Sequence, residues 1–295
     1  MLKEPDWAPT FIGIGAEKSA TTWCHAALNE HPQVCMGRPK EINYFNYYHD
    51  RGEAWYRRHF HRPERAVLGE ISPKYMADPR VCDRLAADYP DVRILAVLRN
   101  PLDRAVSHVA MDLQNAKGGV SKLPAVAWRE QAGRERKYVA RSLYYRALKP
   151  YFDSFPREQI RVLFFDDLRA NPAKFVARLF ESAGADPLFL PSPTQSVSNK
   201  TQDYRSPLLF KTLRLVSRCG NRLPLVRRGM ELIYRRTTLR ERVLSRLMVD
   251  AGRPNVLFAD VFGPRELETI THDVEQLRCQ LNVASPSDWR LSRAA

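Results

Sequence analysis

No apolar run in this 295-residue chain approaches the roughly 20 residues of a membrane-spanning helix, so none is expected. There is no CxxC pair either. The five cysteines, at 24, 35, 82, 219 and 279, are odd in number and scattered, which points to neither a zinc site nor a disulfide framework. The first ten residues, MLKEPDWAPT, lack the basic-then-apolar order of a secretory signal. A soluble cytoplasmic protein is the expectation, with contact to an anionic membrane surface left open. Acidic residues are also in deficit, at 33 against 47 basic ones, giving a formal charge of +14 and a pI near 9.8. That imbalance favours an anionic partner but does not choose among nucleotide, nucleic acid, acidic glycan and phospholipid.

What is present reads as an α/β fold: a central parallel sheet flanked by helices, in one domain over 1–295. Phe11 to Gly15 is a buried strand entering a small-residue turn, and Thr21 to Glu30 a helix ended near His31-Pro32. Ala66 to Glu70, Arg93 to Leu98 and Gln159 to Phe165 are further strands. Pro101 begins a helix, and Pro172 to Gly184 spans another, with Asn171 as cap and Gly184 as stop. Arg205 to Val249 holds eleven arginines and Lys211 against Glu231 and Glu241, so most of the net charge sits in this one basic helical segment. It is expected on the acceptor side, or against anionic lipid, or as a plain solvated face. No helix-turn-helix, RNA-binding aromatic signature or zinc module is visible, so no nucleic-acid partner is expected.

The residues from Gly13 to Trp23, GIGAEKSATTW, join a strand to a helix. That geometry offers free backbone amides and the positive end of a helix dipole to an anion. Lys18 adds a cation, and Ser19, Thr21 and Thr22 add hydroxyls. A nucleotide triphosphatase would need GxxxxGK[ST], yet Ile12 and Glu17 stand where its glycines belong. Strand 93–98 ends in Arg99 rather than a magnesium-binding aspartate, which suits a site that binds no metal. Asp166 and Asp167 keep a kinase-like alternative alive, and a non-catalytic anion-binding protein is the other.

Lys18 to Trp23 resembles the 5′-phosphosulfate loop of sulfotransferases that use 3′-phosphoadenosine 5′-phosphosulfate (PAPS), K-[SG]-G-T-[TS]-x, departing at Ala20, where many members have glycine. Leu98 to Ser107, LRNPLDRAVS, resembles the family's 3′-phosphate segment, R-[DN]-P-x-[DE]-R-x-x-S. The resemblance implies that residues 18–23 hold the 5′ end of PAPS or its product PAP, and that Arg99 and Ser107 clamp the 3′-phosphate. Trp23 stacks on adenine in one branch of the family, although a core position is equally open. Tyr144, in Ser142-Leu143-Tyr144, and Asn199-Lys200-Thr201 resemble further nucleotide-contacting segments. Arg38 to Phe45, RPKEINYF, is similar to K-E-x-x-[FY]-[FW], whose glutamate is the general base in Golgi-type and bacterial members. Glu41 is thereby the expected base, Lys18 the partner of the leaving phosphate, and Lys40 an acceptor contact. Gly69 to Tyr75, GEISPKY, resembles the stretch lining the site in the glycan branch, implying that Glu70, Lys74 and Tyr75 meet the acceptor. Histidine is the base in the cytosolic branch, which leaves His25, His49, His59, His61 and His108 as rivals. The reaction implied is sulfuryl transfer to a hydroxyl of a carbohydrate, glycolipid or small natural product, without a metal.

Overall fold

Phe11–Gly15 forms strand β1, buried at every position, as a strand covered on both faces of a parallel sheet must be. In this computed structural model, residues 7–192 are described apart from 63, 65, 118–122 and 135, as are 202–204, 248–250, 256–282 and Trp289. Strand β1 pairs in parallel with β3 (Val67–Ile71) on one side and with β4 (Arg93–Leu98) on the other. Adding β2 (Val34–Met36) and β5 (Ile160–Phe164) gives an all-parallel sheet of order β2-β3-β1-β4-β5. The expected strands are present, with ends moved by a residue or so.

Among the described residues the α-helices, in chain order, are α1 (Thr21–Glu30), α2 (Glu53–Arg57), α3 (Pro79–Asp88), α4 (Pro101–Lys117), α5 (Ala125–Arg134), α6 (Lys137–Ala140), α7 (Tyr144–Ser154), α8 (Phe165–Ala170), α9 (Pro172–Ala183), α10 (Phe258–Val261) and α11 (Pro264–Leu281). Local chemistry sets several of their ends. Asn171 Oδ1 accepts the Lys174 amide at 2.9 Å to start α9, and Gly184, at φ 89°, ends it. Asp273, on α11, caps α7 from outside by accepting the amides of Tyr145 and Arg146 at 2.9 and 3.0 Å. Among the described residues, no helix is long and apolar enough to cross a membrane.

The described residues fall into two units. The first, within 1–105, 137–198 and 263–295, holds the five-stranded sheet. Its core joins Phe11, Trp23, Leu28, Val97, Phe175 and Phe180 between the sheet and helices α1 and α9. The second, within 106–136 and 199–262, holds most of α4, helices α5 and α10, and the antiparallel pair β6 (Gln202–Tyr204) and β7 (Met248–Asp250). There Arg129 Nε donates to the Asp260 carbonyl at 2.8 Å.

After β1 the chain passes through α1 to β2; after β4 it re-enters the sheet at β5. The connections therefore diverge between the adjacent strands β1 and β4. In open α/β sheets, that divergence leaves a crevice at the carboxyl ends of the strands.

Close packing beneath β1 gives a first test. A methyl group at Gly69 would run into the Phe11 ring. Gly69→Ala is expected to cost about 1–3 kcal/mol, seen as a lower urea midpoint with an unchanged slope.

Candidate functional site

The turn after β1 is fixed by the neighbouring strand, since the Ala16 amide donates to the Val97 carbonyl at 2.8 Å. Lys18 and Ala20 follow with φ of 69° and 62°. Left-handed backbone costs an L-residue roughly 1–2 kcal/mol, so the chain holds a tight curl here at the expense of strain. Helix α1 then starts with no side-chain cap and no acidic residue in its first turn. The positive end of its dipole faces this turn. Ser19 is fully buried beside the Tyr144 hydroxyl, Thr21 is buried, and Thr22 is exposed.

Arg99 leaves β4 next to this curl, and its Nη1 donates to the Lys18 carbonyl at 3.4 Å. Its guanidinium lies 5.2 Å from the Phe165 ring centroid and 3.8 Å from Asp103. The Tyr144 hydroxyl donates to the Arg99 carbonyl at 2.9 Å. Asn100 Oδ1 caps α4 by accepting the amides of Leu102 and Asp103 at 2.9 and 3.3 Å. Arg104 is wholly buried, donating to Ser142 Oγ at 2.7 Å and to the Tyr138 carbonyl. Burial pushes its pKa down to about 10, so it stays a cation at neutral pH. Glu17, in the same turn, is paired with Arg141.

A second cluster lies at the ends of β2 and β3. Lys40 Nζ meets Glu41 Oε1 at 2.6 Å, and the Glu41 side chain is 37% exposed. Glu41 and Asn43 both have positive φ, 64° and 57°, and Asn43 Nδ2 donates to the Glu41 carbonyl at 2.7 Å. Glu70, just beneath, is 1% exposed. Its Oε1 accepts the hydroxyls of Tyr75 at 2.7 Å and Tyr56 at 3.0 Å, and its Oε2 accepts Ser72 at 2.6 Å. Burial raises its pKa, while these hydroxyls and the Ile42 amide act in the opposite direction. The cluster borders the middle of α1, because the charges of Lys40, Arg38 and Glu41 all act on His25 there.

Several expected site residues stand elsewhere than their motifs imply. Trp23 is in the core, 2% exposed and edge-on to Phe175 at 5.9 Å, because that face of α1 packs on α9. Glu70 and Tyr75, expected to meet the acceptor, are buried against each other. Lys74 is partly exposed, with its ammonium 5.7 Å from the exposed Tyr47 ring. Ser107 lies on α4, within the second unit. Asn199, Lys200, Thr201 and the basic segment 205–249 lie outside the described residues.

The rival histidines are mostly engaged. His49 pairs with Asp88 at 2.7 Å, His59 Nδ1 lies on the carbonyls of Trp55 and Tyr56, and His108 is buried. Asp166 accepts the Trp289 indole N–H at 2.8 Å, and Asp167 pairs with Arg178 at 3.5 Å. Arg141, Tyr56 and the burial of Arg104 were not foreseen. Arg141 is 124 residues from its partner and carries no local pattern. Arg104 sits in a charged stretch that reads as surface.

Comparison with known proteins bears on the same region. The sulfotransferase domain family matches residues 9–204. The bifunctional heparan sulfate N-deacetylase/N-sulfotransferase 2 of Homo sapiens is 32% identical over 205 residues, covering 63% of this chain and 23% of that protein. The heparan sulfate glucosamine 3-O-sulfotransferase 6 of Mus musculus is 28% identical over 181 residues, covering 60% of this chain and 52% of its own length. The chain thus spans about a quarter of the first relative and half of the second. In fold it is similar to a sulfotransferase from Alicyclobacillus acidocaldarius, with TM-score 0.62 and 22% identity over 96% of this chain and 99% of that one.

Two outcomes are expected from this geometry. Ala20→Gly relieves left-handed strain and should stabilise the protein by about 1 kcal/mol, which calorimetry reads as a higher Tm. Burial, then Lys40, pushes the His25 pKa from 6.5 down to about 4. The unfolded chain therefore binds this proton more readily, and stability falls as the pH drops from 6.5 towards 4. His25→Gln should flatten that part of a Tm-against-pH curve.

Proposed function

Because the chain belongs to the sulfotransferase domain family, we propose that it moves a sulfuryl group from PAPS to a carbohydrate acceptor by in-line displacement. One observation carries the donor half: the uncapped start of α1, with Lys18 in its turn, lies beside Arg99 at the divergence of β1 and β4. The residues fit a nucleotide with phosphates at both ends. Ser19 to Thr22 would hold the 5′ group through backbone amides and hydroxyls, and Arg99 would hold the 3′-phosphate with a forked contact. The proposal that Ser107 joins Arg99 rests on the motif alone. Asp166 and Asp167, on which a kinase-like reading depended, are already bonded to Trp289 and Arg178.

PAPS supplies an activated sulfuryl group when bound; the chain's own residues do the rest. Lys18 is the proposed cation for the negative charge that builds on the leaving phosphate. Glu41 is the proposed general base, since it is a part-exposed carboxylate on a tightly held turn and Lys40 orients it. Arg141 neutralises Glu17, so the turn does not repel its anion.

The carbohydrate assignment draws on the two relatives named for heparan sulfate. It also draws on the surface that follows Glu41. Tyr47 and Tyr48 are 55% and 39% exposed; Lys74 lies 5.7 Å from the Tyr47 ring centroid and Arg51 5.1 Å from that of Tyr48. Exposed rings edged by cations suit an anionic sugar, which offers C–H faces and negative groups together.

PAP at a hundred times its Kd should stabilise the protein by about 2.7 kcal/mol in a thermal-shift assay, and ATP with magnesium should not. Stabilisation by ATP with magnesium and none by PAP would overturn the reading. Glu41→Gln should keep the PAP shift and lose about 10²–10⁴ in turnover. Arg141→Ser, which leaves Glu17 unpaired, should weaken PAP by about tenfold.

A further inference from the structure

The turn that carries Glu41 holds two left-handed residues, a conformation a free loop would relax. What prevents relaxation is visible in the amides that follow. The Ile42 amide lies near enough to the Glu70 carboxylate to oppose the upward shift of its pKa. The Asn43 amide donates to Ser72 Oγ at 3.1 Å, and Ser72 donates its proton to Glu70 at 2.6 Å. The Phe45 amide donates to the Tyr75 hydroxyl oxygen at 3.3 Å, and Tyr75 donates to Glu70 at 2.7 Å. Two amides behind Glu41 thus end, each through one hydroxyl, on a single buried carboxylate, and a third lies close to it.

The direction of every proton in this network follows from Glu70 being an acceptor at both oxygens. A hydroxyl has one proton. With that proton drawn to Glu70, Ser72 and Tyr75 turn lone pairs towards Asn43 and Phe45. Tyr56, the third donor to the carboxylate at 3.0 Å, also stacks on Tyr44 at 4.5 Å and so ties the network to the same turn. A glutamine at 70 would keep the shape but bring an NH2 group. A hydroxyl that received that N–H could no longer donate to residue 70, so its proton and lone pairs would have to reorient and its hold on the turn would change.

We propose that Glu70 is the positioning residue for the base: it touches no substrate, and it fixes the turn of Glu41 by setting the proton direction of Ser72 and Tyr75. The inference rests on the reading of Glu41 as base. It separates the GEISPKY stretch into a buried support, Glu70, Ser72 and Tyr75, and one part-exposed cation, Lys74.

The test compares full-length Glu70→Gln, Ser72→Ala, Ser72→Thr and Glu41→Gln. Amide hydrogen exchange is read at residues 42, 43 and 45, alongside PAP binding and turnover of PAPS with desulfated heparan sulfate. Glu70→Gln should speed exchange at these amides at least tenfold, leave the β1 and β4 amides and PAP binding unchanged, and lower kcat by about 10–100-fold with the KM for PAPS unchanged. Ser72→Ala should act chiefly at Asn43, and Ser72→Thr should restore wild-type behaviour. Unchanged exchange at 42, 43 and 45 in Glu70→Gln would overturn the inference. So would a dead Glu41→Gln beside a Glu70→Gln of full kcat. Full turnover in Glu41→Gln would instead overturn the base assignment, and the exchange result would still judge the hold of Glu70 on the turn.

Discussion

Pairing of β1 with β4 is the constraint from which the proposed donor half of this protein follows. The two strands are parallel and adjacent, so their carboxyl ends emerge together, and the register shift between Gly13 and Gly15 turns the chain out of the sheet just before the curl. Val97, one residue before the end of β4 proper, accepts the first amide of that curl. Arg99 then emerges beside the Lys18 carbonyl. Supporting cations are bought into place by burial and pairing: Arg104 anchors the start of α4 to residues 138–142, and Arg141 cancels Glu17.

The second cluster works by a different principle. Around the curl, strain is carried by backbone packed against a strand, whereas around Glu41 it is carried by hydroxyls that share one carboxylate. Burying that carboxylate is unfavourable in itself, as its raised pKa records. Several charge-assisted hydrogen bonds offset the cost, and the return is a fixed side-chain direction two residues from a buried face. Buried polar networks of this kind specify one geometry more than they add stability.

The sequence was most legible where a signal is local. Runs such as RILAVL are apolar without alternation and could only be central strands, and Asn171 and Gly184 bracket α9 by chemistry that depends on nearest neighbours. Lys18 and Arg99 were legible because each follows such a strand. Burial of polar residues was not. Glu70 and Tyr75 sit in a motif whose polar letters suggest a lining, yet both side chains turn inward because they satisfy each other. Trp23 was balanced between ligand and core, and only the position of α9 decides it. Arg141 and Glu17 are brought together by tertiary structure alone, so no window of sequence contains the pair.

The contact between Arg99 and the Lys18 carbonyl spans 81 residues of chain. Both partners of β1, the strands β3 and β4, lie later in the sequence. Such non-local parallel pairing is slow to form. A nascent chain that ends before residue 93 has the lysine turn but no strand to hold it. The hold of Val97 on the lysine turn thus depends on the central pair having closed.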